Sequence, residues 1–382
     1  MNILFITNLY PGKPNHSVKE VSYALHNFAK VWQHNGCNVI VFRPLLPSVR
    51  RILNKKTLFD DVPEQHELDG IRIYNIRCLK IRNISFFLSR YHTSFIPDVV
   101  VGHMTSSFVP AKKIAKKLGI PYVLGIHNSD LACASWFRKE FDDAAKISCR
   151  SYSVKKHFLD CMPQYADKVF IANSCIESNV IENHAFFEKK EKEMSEAQTS
   201  VFTTVSLLQK LKNIDVTIMA LSKYKEWDWQ YYIIGDGEER EHLESLINLC
   251  GLQDKIHILG LRSRDFVLDY LKRTHYFVMV SAPETFGLAY LEAMAKANVI
   301  IGCRNWGIAG VIKDGENGFL LEERKQDELE KLIGKILAKQ INLNKILCNE
   351  ERTIHEYTQE NTGNEYQRLL ESVVTVHKQL SL

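Results

Sequence analysis

No apolar run in this 382-residue chain approaches the roughly 20 residues that a membrane-spanning helix needs. The opening stretch, Met1 to Gly12, has no basic region ahead of its short apolar run. It reads as a buried strand and not as a secretory signal. The nine cysteines are scattered, with no Cys-x-x-Cys pair and no zinc spacing. An odd, unclustered set fits buried free thiols in a reducing cytosol. The first strand is not followed by Gly-x-Gly-x-x-Gly, which argues against a dinucleotide dehydrogenase. A Walker lysine loop and a nucleic-acid recognition motif are missing as well. No Asp-x-Asp occurs, so the sequence demands no metal.

What is present is an ordinary globular composition, 45% hydrophobic and 25% charged. A single core rarely grows past roughly 250–300 residues, so two domains are expected. Charge divides unevenly. Residues 1–180 hold 24 Lys+Arg and 14 Asp+Glu, a net +10, and the remainder is net −6. A basic first half suits an acidic partner such as nucleic acid, anionic lipid or a phosphorylated substrate.

Apolar runs and helical periodicity alternate along the chain. Asn2 to Thr7 is a strand, followed by a helix with Val18, Val21, Leu25, Phe28 and Trp32 on one side, closed by Gly36. Strands follow at 37–42, 98–102, 121–126 and 167–172, with a helix from Pro110 to Leu118. Residues 183–199 are charged and lack apolar periodicity, which places an inter-domain linker there. A second series has strands near 201–206, 230–234, 256–259, 276–280 and 298–302, with helices at 214–223, 238–250, 264–272 and 287–296. The expected class is α/β, with two Rossmann-like, doubly wound domains facing across a cleft.

The stretch Ser281 to Ala295 carries the most chemistry. A strand ends, a loop presents Glu284, and a helix begins near Gly287. Free N–H groups from Phe286 to Leu288 would seat a phosphate, and Gly287 lets an anion approach the backbone. Glu284 would hydrogen-bond sugar hydroxyls, and Glu292 would take both hydroxyls of a ribose. Two solvated helix-end carboxylates are the plain alternative.

Glu-x7-Glu in the setting SAPETFGLAYLEAMA resembles the signature of the family 4 retaining glycosyltransferases, which have the GT-B fold. IPYVLGIHNSDL, PDVVVGH, FIANSCIE, LLQKLKNID, IIGDGEER and VIKDGENGFLL resemble other segments of that family, in order, over nearly the whole chain. The resemblance implies domains at 1–185 (acceptor side) and 198–356 (donor side), with residues 357–382 as a helix crossing back to the first. It implies that Glu284 binds the donor sugar, that Phe286, Gly287 and Leu288 hold the diphosphate, and that Glu292 holds the ribose. Lys212 would neutralise the leaving diphosphate. His127 would reach the sugar, with Asp130 nearby, and the turn Leu259 to Arg262 would read the base. Other readings stay open: Lys212 as a surface lysine, His127 and His103 as strand-end structural histidines, and Asp130 as a helix N-cap.

Three departures from the family pattern stand out. The loop Asn15 to Glu20 lacks the usual glycine, Leu207 replaces a common arginine, and Gly310 stands at a commonly acidic position. They bear on diphosphate binding and leave the Glu284/Glu292 pair untouched.

The function expected is therefore retaining transfer of a sugar from a nucleotide donor, a UDP-sugar ahead of a GDP-sugar, to a hydroxyl of a glycan or lipid-linked acceptor. The resemblance places it in bacterial surface polysaccharide assembly. No tightly bound cofactor, metal or nucleic acid is expected. Two basic clusters are interleaved with apolar residues: Arg43, Arg50, Arg51, Lys55 and Lys56, and Arg77, Lys80, Arg82 and Arg90. They suit an anionic membrane surface, hence a cytoplasmic, membrane-peripheral protein, or else form a solvated face. Lys112, Lys113, Lys116 and Lys117 read as a solvent face. A nucleotide-sugar epimerase or phosphorylase on the same fold, or a non-catalytic glycan- or partner-binding protein, are the alternatives.

Overall fold

The computed structural model describes residues 1–14, 21, 23–45, 61–77 and 95–380. The glycine-less loop Asn15 to Glu20 lies outside them, as do Arg50, Arg51, Lys55, Lys56, Lys80, Arg82 and Arg90 of the basic clusters. The chain divides into two units, Met1–Ser174 with Gln359–Leu382, and Cys175–Thr358.

The first unit is built on an eight-stranded sheet. Its strands are β1 (Asn2–Ile6), β2 (Asn38–Leu45), β3 (Gln65–Leu68), β4 (Ile71–Arg77), β5 (Val99–His103), β6 (Tyr122–Ile126), β7 (Lys146–Cys149) and β8 (Val169–Ile171). They run in the order β3-β4-β2-β1-β5-β6-β7-β8, all parallel except β3 against β4. β5 and β6 are buried along their whole length, as expected of parallel strands covered on both faces. The strand order turns about β1, so the carboxyl ends of β1 and β5 form the switch point where such sheets bind ligands.

Helix α1 (Ala24–His34) buries Leu25, Phe28 and Trp32, and Gly36 comes after it at φ +83°, as a left-handed helix stop requires. Helix α2 (Thr105–Leu118) begins before Pro110 and contains it, correcting the expected start. Pro110 lies in the second turn, where the missing N–H forfeits one intrahelical bond. Lys113, Lys116 and Lys117 are exposed on α2, and Lys112 pairs with Asp143 at 2.5 Å.

The C-terminal helix α3 (Gln359–Leu380) belongs to the first unit and packs on α1. It buries Gly363, Tyr366, Leu370, Val373 and Val374. Trp32 Nε1 donates to the Gly363 carbonyl at 3.2 Å, and Asn35 Nδ2 donates to Asn364 Oδ1 at 2.7 Å and to Gln367 Oε1 at 2.9 Å. A Cβ on Gly363 would lie 2.7 Å from Val31 Cβ. Val31 is β-branched and cannot swing away. Gly363→Val is therefore expected to destabilise the first unit by about 1–3 kcal/mol through overpacking. Denaturant unfolding checks this, and an unmoved midpoint would contradict the packing.

The second unit has six parallel strands in the order β11-β10-β9-β12-β13-β14. They are β9 (Ser200–Val205), β10 (Trp229–Ile234), β11 (Ile256–Gly260), β12 (Tyr276–Val278), β13 (Val299–Cys303) and β14 (Phe319–Leu321). The order turns between β9 and β12, which makes their carboxyl ends this sheet's switch point.

Two expectations need correcting. Residues 183–199 are not a linker: His184–Glu196 is a helix within the second unit, N-capped by Asn183 Oδ1, which accepts from Phe186 N at 3.0 Å. Phe187, Lys190 and Met194 form a buried stripe at helical spacing among the charges, and Lys190 Nζ donates to the Lys272 carbonyl at 2.5 Å. Arg43 is not part of a surface cluster. It is buried on β2, which is covered on both faces from Val39 to Leu45, and it donates to Asn75 Oδ1 of the neighbouring β4 at 3.5 Å. Arg77, at the end of β4, is exposed.

Candidate active site

At the second unit's switch point the chain leaves β9 and makes a tight turn, Lys210–Lys212. Asn213 follows in the left-handed region at φ +50°, then a helix, Ile214–Leu221. Buried Asn213 fixes this turn. Its Nδ2 donates to the Val280 carbonyl at 2.8 Å, and its Oδ1 accepts from Arg324 Nη1 at 3.1 Å. Ala282 N donates to the Leu211 carbonyl at 2.9 Å. The lysine turn is thereby stitched to the segment after β12 that carries Glu284.

The consequence is a direct ion pair, Lys212 Nζ to Glu284 Oε2 at 2.5 Å, with side chains 15% and 14% exposed. Glu284 also accepts from Ser281 Oγ at 3.3 Å and from Thr285 N at 3.0 Å. The Glu284 carbonyl accepts from Gly307 N at 3.0 Å. Gly307 sits at φ +53°, and a Cβ there would lie 2.9 Å from Glu284 Cγ. The loop containing Asn305 to Gly310 thus packs directly against the glutamate.

Gly287 precedes the short helix Leu288–Met294 at φ +81°, and a Cβ there would lie 2.7 Å from the Tyr290 ring. Only glycine meets both conditions. Phe286 is buried in the core with Tyr290 and Leu291. Glu292 is 12% exposed, and its Oε1 accepts from Arg264 Nε at 2.7 Å. The Arg264 fork also grips Glu177, with Nη2 to Oε2 at 2.6 Å and Nη1 to Oε1 at 3.1 Å. Burial raises the Glu292 pKa, and Arg264 acts against that shift. Arg262 is exposed and stacks 5.3 Å from the Phe266 ring centroid, after Gly260 at φ +73°. Leu207 is exposed beside the lysine turn, as is Lys210.

In the first unit, His103 ends β5 and His127 follows β6. Their rings meet, His103 Nδ1 to His127 Nε2, at 3.1 Å. His103 is fully buried over Gly125, where a Cβ would lie 2.3 Å from its ring. Asp130 is buried, and both oxygens serve the backbone: Oδ2 accepts from His127 N at 2.9 Å and Oδ1 from Thr105 N at 3.1 Å. Asp130 is therefore not the N-cap: His127 is, and Asp130, three residues on, reaches back to the His127 N–H and so fixes the peptide carrying His127. Burial lifts the Asp130 pKa to about 6. Burial, with Arg150 adding its charge, lowers that of His127 to about 3, and His103 is lowered well below its usual value by burial, His127 and Arg150. Both imidazoles are neutral at pH 7.

Lys212, Glu284, Phe286 and Gly287 thus share one corner of the second unit, and His127 and Asp130 share one turn of the first. Sequence reasoning missed Asn213, Arg264 and Tyr366 as partners of these groups. Asn213 alone left a local signal, a residue tolerant of the left-handed region just before a helix.

Residues 185–354 match the family model for glycosyl transferases group 1. The match spans most of the second unit, Cys175–Thr358. The chain is 25% identical over 288 residues to an uncharacterized glycosyltransferase of Methanocaldococcus jannaschii, covering 72% of this chain and 77% of that protein. It is 31% identical over 151 residues to the N-acetyl-alpha-D-glucosaminyl L-malate synthase of Bacillus anthracis, covering 38% of this chain and 39% of that one. Among solved structures it resembles Anabaena HepE in complex with UDP, with TM-score 0.73 and 16% identity over 97% of this chain and 100% of that one. It also resembles the sucrose-phosphate synthase of Thermosynechococcus elongatus, with TM-score 0.76 and 14% identity over 98% and 99%. The fold is GT-B. Among the described residues, no cluster of His, Cys, Asp or Glu could hold a metal ion, and no helix is long and apolar enough to cross a membrane.

Proposed function

We propose that this chain transfers a sugar from a nucleoside diphosphate donor to a hydroxyl of a glycan or lipid-linked acceptor, with retention at the anomeric carbon. The observation that carries the reading is the Lys212–Glu284 pair at the switch point of the unit that matches the glycosyl transferases group 1 family. A cation and a carboxylate side by side suit the two ends of such a donor. The ammonium takes the diphosphate as negative charge develops on it, and the carboxylate takes sugar hydroxyls. Lysine has three donors, so Lys212 can keep Glu284 while binding phosphate.

Phe286, Gly287 and Leu288 are proposed to hold the diphosphate through the backbone, Glu292 the ribose, and Arg262 the base side. His127 is proposed to touch the sugar, and Asp130 to fix the peptide that presents it. The donor is proposed to be a UDP-sugar, which the HepE complexes with UDP and with UDP and glucose support. The reaction proposed is front-face: the acceptor oxygen bonds to the anomeric carbon as the bond to the diphosphate breaks, and the acceptor proton passes to the departing phosphate oxygen. Trapping a covalent glycosyl-enzyme would rule this out. The proposed setting, by resemblance, is surface polysaccharide assembly at the cytoplasmic face of a membrane.

Thermal unfolding with UDP-sugars, GDP-sugars and ATP tests the reading. Ligand at about 100 times its Kd adds roughly 2.7 kcal/mol, enough to raise Tm by several degrees. A shift is expected with UDP-sugars and is expected to disappear in Glu292→Ala. No shift with any donor would overturn the transferase reading in favour of a non-catalytic binding protein.

A further inference from the structure

The C-terminal helix brings a phenol to the histidine pair. Tyr366 on α3 is 1% exposed. Its ring meets Phe28 at 5.3 Å, Trp32 at 5.2 Å and Phe170 at 5.2 Å, all between centroids. A phenylalanine would pack there equally well. The hydroxyl is a polar atom among aromatic rings, and leaving it unbonded would cost about 1–3 kcal/mol. It has two partners, His103 Nε2 at 3.1 Å and Ser148 Oγ at 3.1 Å. His103 in turn contacts His127 through its other nitrogen. The chain Ser148–Tyr366–His103–His127 therefore links buried Ser148 on β7 to the proposed sugar contact.

We propose that Tyr366 is a positioning residue for His127: through His103 it sets which His127 nitrogen carries the proton. The proposal rests on the sugar-contact reading of His127. With both rings neutral, each carries one N–H, and only two arrangements satisfy the contacts. In one, Tyr366 donates to His103 Nε2, His103 Nδ1–H donates to His127 Nε2, and His127 bears its proton on Nδ1. In the other, Tyr366 donates to Ser148 and accepts from His103 Nε2–H. His103 Nδ1 then accepts from His127 Nε2–H, leaving His127 Nδ1 as an acceptor. The direction of one phenol thus decides whether His127 Nδ1 offers a hydrogen bond or takes one. Arg150 is the charged group beside this network. It lies 4.7 Å over the Phe28 ring, donates to Ser174 Oγ at 2.7 Å, and disfavours protonation of either histidine.

The test compares Tyr366→Phe, His127→Ala and the double variant in the full chain. The readouts are UDP release from the UDP-sugar giving the largest thermal shift, imidazole 15N spectra, and unfolding midpoints. Tyr366→Phe is expected to lower kcat roughly tenfold, the rate equivalent of one net hydrogen bond, with donor KM unchanged. The His127 nitrogen resonances should move from one tautomer toward a mixture. The double variant should be no slower than His127→Ala alone. An unchanged kcat with unchanged His127 resonances would overturn the proposal, as would additive losses. If Tyr366→Phe does not fold, the parent spectrum decides, because averaged His127 tautomers there would overturn the proposal. If His127→Ala turns over at the parent rate, the sugar-contact reading falls and the proposal falls with it.

Discussion

Glu284→Gln is expected to slow turnover by about 10²–10³-fold, the loss typical of one preorganised electrostatic partner. The carboxylate collects Lys212 Nζ, Ser281 Oγ and Thr285 N. Glutamine keeps the volume and one acceptor oxygen, so the loop should hold its shape. What goes is the charge, and with it the strength of any bond from a sugar hydroxyl. UDP itself should bind as well as before or more tightly, because Lys212 loses its intramolecular anion. Steady-state kinetics with UDP titration checks both halves. Turnover within threefold of the parent would remove Glu284 from the reaction. Weaker UDP binding would mean that the carboxylate serves the nucleotide and not the sugar.

Much of the fold was legible because both units repeat one local rule, an apolar run followed by an amphipathic helix. The five second-unit strands expected near 201, 230, 256, 276 and 298 coincide with β9 to β13 within a few residues. Gly36 and Gly119 end helices in the left-handed region, as glycines after periodic segments should. Legibility failed where tertiary context decides. Charge density hid the stripe of Phe187, Lys190 and Met194, so a packed helix read as a linker. Arg43 reads as a surface cation, but β2 is covered on both faces, so its side chain is buried whichever way it points.

The site divides the same way. Glu284 and Gly287 stand out because a strand, a loop and a helix start meet within a dozen residues. Lys212 and Glu284 lie far apart in sequence, and only the sheet order, with β9 beside β12, brings them together. The clamp of Glu177, Arg264 and Glu292 has no local signature. Its partners come from a loop and two helices, and a helix-start arginine usually faces water. Asp130 reads as an N-cap, but His127 takes that place, and Asp130 reaches back to it over three residues from inside the turn. Tyr366 read only as one apolar position on a helix, because nothing local marks its hydroxyl.

Lys212→Met is the companion experiment, and its expected kcat loss is also about 10²–10³-fold. The effect on ligand binding should be opposite to that of Glu284→Gln. A charge-assisted bond to a diphosphate is worth about 1.5–3 kcal/mol, so the Kd for UDP should rise roughly tenfold or more. Methionine keeps the aliphatic stem, so packing around Leu211 and Asn213 should persist. Glu284 retains Ser281 Oγ and Thr285 N but loses its cation. Removing one member of a largely buried pair leaves the other poorly compensated, and some loss of stability is expected. Unfolding midpoints separate that loss from the catalytic one. The double variant Lys212→Met/Glu284→Gln distinguishes two roles for the lysine. If Lys212 only holds Glu284 in place, the double variant should be no slower than Glu284→Gln alone. If the lysine also neutralises the leaving diphosphate, the losses should compound and UDP binding should stay weak. The compounding outcome is the one expected, because two of the three ammonium donors are left for phosphate once Glu284 has taken one.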